Sequence, residues 1–91
     1  MKTTLLFERY EIEYIELEKE IEKNQLLCNI VDNGVINEAS VLDYHNKEED
    51  YILHSYTVDY EEETYLFYEK IYAPKEKKGK YKSIEIFKLD K

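Results

Sequence analysis

The sequence has no tryptophan and holds only one cysteine, one methionine, one proline and two glycines. With Cys28 alone, no disulfide can staple the chain, which excludes a disulfide-rich secreted scaffold and fits a reducing compartment. Gly34 and Gly79 are isolated, so no glycine-rich loop is present to cradle phosphate. Apolar runs are short. Leu5-Leu6-Phe7 ends at Glu8, well below the ~7–15 residues of a secretory signal core, and no stretch approaches a membrane span. These absences predict a cytoplasmic protein with no membrane association.

What is present is charge and tyrosine. The 91 residues carry 21 acids and 13 bases, a formal net charge of -8. The distribution is asymmetric: residues 1–72 balance to -12 and residues 73–91 to +4, an acidic body with a basic end. Hydrophobic residues make up 43% of the chain, too many for a disordered acidic tail. The length implies one domain, 1–91, with a modest core, since a chain this size buries only roughly 60–65% of its unfolded surface.

Periodicity gives an outline of the fold. On a helical wheel Leu6, Tyr10, Tyr14, Leu17 and Ile21 share one narrow stripe, predicting an amphipathic helix over about 5–24 with Asn24 as its C-terminal cap. A strand reading of Tyr10, Ile12 and Tyr14 competes with it, but its alternation breaks phase beyond Ile15. Leu26–Val31 is apolar and partly β-branched, and Asn33-Gly34 suits a type I′ turn, so a hairpin is expected over about 26–37. From Tyr51 to Leu89 the chain alternates in three runs separated by polar segments, which reads as a meander. The expected class is therefore α+β: one N-terminal amphipathic helix packed on an antiparallel sheet of about four or five strands.

No motif names a reaction, and the chain is not expected to be an enzyme or to need a cofactor. His45 and His54 lie nine positions apart without the spacing of a zinc site, so no metal site is expected. Glu76-Lys77-Lys78 matches a nuclease-like triplet by letter only, in a segment bounded by Pro74 and Gly79. Cys28 has no histidine beside it in sequence and reads as a small buried hydrophobe.

Two surfaces are candidates for binding. The first combines acids with tyrosines: Tyr60, Glu61, Glu62, Glu63 and Tyr65, backed by the glutamate-rich segment from Glu8 to Glu22. Carboxylates occupy arginine-rich sites for the same reasons of charge and fork geometry as phosphates, and tyrosine is enriched in interface hot spots. The second is basic: Lys75, Lys77, Lys78, Lys80, Tyr81 and Lys82 could track a nucleic-acid backbone with the ring stacking on a base. The net charge opposes direct binding to a polyanion.

In size, acidity and lack of a catalytic motif the chain resembles the small inhibitors encoded by phages and plasmids, such as anti-restriction and anti-CRISPR proteins. The likeness is one of composition, covers no motif and carries over no residue. The expectation is a non-catalytic protein-interaction module, in its most specific form a nucleic-acid-mimicking inhibitor that occupies a basic groove on a partner protein. A nucleic-acid-binding or regulatory module using residues 75–82 is the alternative, and a structural or assembly subunit the second. Homodimerisation is left open.

Overall fold

The structure is a computed structural model that describes residues 2–45, 50–72 and 81–90. In chain order it runs β1 (Lys2–Glu13), α1 (Tyr14–Glu22), α2 (Gln25–Asn33), β2 (Val35–His45), β3 (Asp50–Tyr60), β4 (Glu63–Tyr72) and β5 (Tyr81–Asp90). The five strands form one sheet in the order β1-β5-β4-β3-β2, with every neighbouring pair antiparallel. The class is α+β, as the sequence predicts, and β2 to β5 form a meander. Among the described residues no helix is long and apolar enough to cross a membrane.

The helix expected over 5–24 is corrected. Its first half is β1, and the helical layer follows that strand rather than opening the chain. The reason lies in two irregularities. Register against β5 slips between Leu5 and Phe7 and again between Arg9 and Ile12, where Glu11 adopts φ 50°. Each slip inserts residues that break the two-residue period, so the apolar positions no longer alternate in sequence. Phe7 and Ile12 pack against the core while Tyr10 is 58% exposed. Of the predicted stripe, only Tyr14, Leu17 and Ile21 are helical, and Leu17 is buried.

The hairpin expected over 26–37 is also corrected. Gln25–Asn33 is a second helix, with Leu27 and Ile30 spaced three apart and both buried. Asn24, expected to end a helix, instead begins this one: its side chain accepts from Leu27 N–H at 3.1 Å. Gly34 ends the helix, donating to Ile30 O at 2.9 Å with φ −72°. A glycine is required there by proximity rather than by a turn. A β-carbon would stand 2.5 Å from Ile30 O and closer still to Cγ1 of Val58.

The type I′ geometry that Asn33-Gly34 suggests occurs elsewhere. β3 and β4 are joined by Glu61 and Glu62, both with positive φ (48° and 66°), between the paired Tyr60 and Glu63. Two glutamates occupy positions that asparagine and glycine fill with less strain.

The helices cover one face of the sheet. Leu17, Leu27 and Ile30 meet Val58 of β3, Tyr65 and Phe67 of β4, and Ile84 and Ile86 of β5 in a single core. Tyr56 stacks on Phe67 with centroids 5.0 Å apart and extends that core toward β2. Gly34 and Val58 hold α2 close to the sheet, so the sequence of the α2–β2 junction sets how near the layers come.

Candidate interaction surface

The strand pairings assign the side chains of β3, β4 and β5 to two faces. Tyr56, Val58, Tyr65, Phe67, Ile84 and Ile86 lie under the helices. Their neighbours, from Tyr51, Leu53, Leu66 and Tyr68 to Tyr72, Tyr81, Phe87 and Leu89, lie on the opposite face, which no other element covers among the described residues.

That open face holds a groove of about 460 Å³. Small side chains make its floor, with Ser40, Ser55 and Ser83 on β2, β3 and β5. Leu42, Leu53, Tyr68, Tyr72 and Tyr10 rise around them. Tyr68 is 48% exposed, Leu42 53% and Leu5 44%, although all are large and apolar or aromatic. Tyr68 meets Phe87 edge-on at 6.1 Å, and Lys70 lies over the rings of Tyr51 and Tyr72 at 4.2 and 4.7 Å. A sheet face of this character on a small chain is the kind of patch that marks a contact surface.

The groove has an acidic rim. Glu8 and Glu85 are directly paired across β1 and β5, where like charges repel. The Tyr10 hydroxyl lies 2.7 Å from Oε2 of Glu85 and 3.0 Å from Oε2 of Glu8. A phenol carries one proton, so it donates to only one carboxylate at a time. The hydrogen bond to Glu85 and the two charges push the Tyr10 phenol well above its usual range.

A polar cluster sits on the covered face. Glu69, 9% exposed, accepts from the Tyr56 hydroxyl at 2.9 Å and lies 3.2 Å from Lys82 Nζ; His54 Nδ1 is 3.5 Å from its other oxygen. Burial, then the charge of Glu69, raises the Tyr56 pKa. Lys82 also lies 5.4 Å from the Tyr14 ring. Within the cluster each donor has a carboxylate oxygen to meet, as a buried charge requires. Among the described residues no three His, Cys, Asp or Glu side chains converge as metal ligands.

The predicted site residues separate in space. Glu61 and Glu62 are exposed at the β3–β4 turn, and Glu63 ion-pairs with Lys88 at 3.8 Å. Tyr65 is only 5% exposed and is a core residue, so its ring is not available at the surface. Tyr60 is half-buried against the core, and burial together with Glu61 raises its pKa. Of the basic patch, Lys75, Lys77, Lys78 and Lys80 lie outside the described residues. Tyr81 and Lys82 point to opposite faces, and Lys82 is taken up by Glu69. Cys28 is half-buried on α2; burial and the carboxylate of Asp32, 3.5 Å away, push its thiol pKa up.

Sequence reasoning missed Tyr10, Leu42, Leu53 and Tyr68 as a group. The signal was the apolar content of both alternating sets in β3, β4 and β5, more than one covered face can absorb. Comparison with protein-family models, with curated proteins and with solved structures finds no match for this chain.

Proposed function

We propose that this chain is a non-catalytic protein-interaction module whose contact surface is the open sheet face. The observation that supports the reading is the groove over Ser40, Ser55 and Ser83, walled by half-exposed Leu42 and Tyr68 and rimmed by the opposed carboxylates of Glu8 and Glu85. Apolar walls favour an occupant that loses water, and the acidic rim favours one that carries positive charge. The occupant is therefore a basic segment of a partner protein, with aliphatic or aromatic side chains between its lysines or arginines.

The acidic surface beyond the groove acts at longer range. Glu16, Glu18 and Glu22 on α1 and Glu61 and Glu62 at the turn are exposed, and the whole chain carries -8. Such a field speeds encounter with a basic partner and weakens with added salt. A nucleic-acid-binding protein is the partner class in which carboxylates would take the place of phosphates, and inhibition by occupancy would follow.

The test is capture of a partner by the wild-type chain and by two variants whose fold is checked by circular dichroism. Tyr68→Asp should abolish capture by wetting the groove. Glu61→Lys with Glu62→Lys should slow association several-fold and flatten its salt dependence. Retention of the same partner by Tyr68→Asp would sink the reading. So would a wild-type chain that holds no protein but shifts labelled DNA at moderate salt.

A further inference from the structure

The two edges of the sheet differ, and the difference concerns self-association rather than the partner surface above. β1 is interrupted by two register slips, has Glu11 in the left-handed region, and carries Lys2 and Arg9. These are the devices that stop an edge strand from recruiting another chain. β2 has none of them over most of its length. It slips once, between Ile36 and Glu38, and then pairs regularly with β3 from Glu38 to His45. It contains no lysine, arginine or proline. Val35, Ile36, Val41 and Leu42 are 53–64% exposed, and they fall on both sides of the sheet.

We propose that β2 pairs antiparallel with β2 of a second copy, joining two sheets into one of ten strands. The sequence of the strand selects the register. Faces match only if residues of like parity are opposed, since a one-residue slip would turn every side chain over. Placing the two-fold axis at Val41 sets Val41 against Val41, Leu42 against the small Ser40, and Asp43 against Ala39. Glu38 then falls opposite position 44, so neither acid of β2 meets an acid. Moving the axis to Ser40 loses the valine pair and sets Leu42 against Glu38.

A two-fold pairing also closes. It uses the less protected edge of each copy and leaves two bulged β1 strands as the outer edges, so the assembly stops at two. The ladder from 38 to 44 is about 24 Å long at ~3.4 Å per residue. Both copies carry -8, so the field opposes the pairing and salt should favour it, the reverse of what a basic partner strand would show.

Sedimentation equilibrium of the purified full chain, at several concentrations and salt levels, provides the test. The expected result is a species of twice 11.1 kDa at high concentration, tightening as salt is raised. Val41→Lys, at an exposed position, should leave the circular dichroism unchanged and weaken dimerisation at least tenfold. In a Cys28→Ser background, Val41→Cys should oxidise to a covalent dimer, because opposed Cα atoms about 4.5–5.5 Å apart are within disulfide reach. Ser40→Cys should not, since its opposite number is Leu42. A monomer at every concentration, or a dimer indifferent to Val41→Lys, would overturn the proposal. Cross-linking through Ser40→Cys but not Val41→Cys would overturn the register.

Discussion

The two faces of the sheet are built from the same strands and have nearly the same apolar content, yet they have different fates. On β4, Tyr65 and Phe67 are buried while Leu66 and Tyr68, one position along, are half-exposed or exposed. The helical layer makes the difference. α1 and α2 present Leu17, Leu27 and Ile30 to one face, and two nine-residue helices cannot reach the other. A small α+β chain therefore has one face for folding and a second that is apolar without contributing to the core.

That comparison can be broken most sharply at Phe67 and Tyr68. Phe67→Ala should destabilise the fold by about 3–5 kcal/mol through the cavity it leaves. Tyr68→Ala should change stability by less than about 1 kcal/mol, because its ring is half in water and meets Phe87 edge-on at the surface. Urea denaturation of both variants measures the contrast. Similar losses would mean that the open face belongs to the core.

Gly34 tests how close the helical layer must lie. Gly34→Ala pushes a methyl into Val58 and the Ile30 carbonyl and should cost about 1–3 kcal/mol, read as a lower urea midpoint. Val58→Ala alone would lose packing, but combined with Gly34→Ala it should recover part of the loss, since the clash with Val58 is then gone and only that with the Ile30 carbonyl is left. Full additivity of the two would argue against the steric cause.

The β3–β4 turn, where the strands of both faces reverse, should move the other way. Glu61→Asn with Glu62→Gly places residues suited to positive φ at both central positions and should raise stability by about 1–2 kcal/mol. Thermal melting gives the sign directly. If the same variant also associates more slowly with a basic partner, the strained glutamates are retained for their charge.

The last contrast is read at alkaline pH, at Tyr56, which marks the polar end of the covered face. Its pKa is raised in the folded state by burial and by Glu69, so folding favours the neutral phenol. The contribution is complete below the unfolded value of about 10 and is lost as pH rises above it. Stability should therefore decline above pH 10, and Tyr56→Phe should flatten that decline. An alkaline profile identical in the two proteins would remove Tyr56 as its cause.

The three strands between Tyr51 and Leu89 and their faces were legible in the sequence because strand alternation is local, whereas β2 beyond Ile36 was not. Ile52, His54, Tyr56 and Val58 can be sorted from their neighbours with no knowledge of what they pack against. Leu17 was legible as a core position for the same reason, since its spacing to Tyr14 and Ile21 is helical. β1 was hidden because its bulges exist only against β5: a register slip is a relation between two strands and leaves no period in either. Asn33-Gly34 suggests a turn by its local chemistry, yet it stands at a helix end, where Val58 and Ile30 crowd around Gly34. Glu61-Glu62 formed the I′ turn because Tyr60 and Glu63 were held in pairing by the rest of β3 and β4. Local chemistry thus determined which residues are apolar, charged or alternating. Only tertiary packing decided which apolar face was covered, because that depends on where two short helices come to rest.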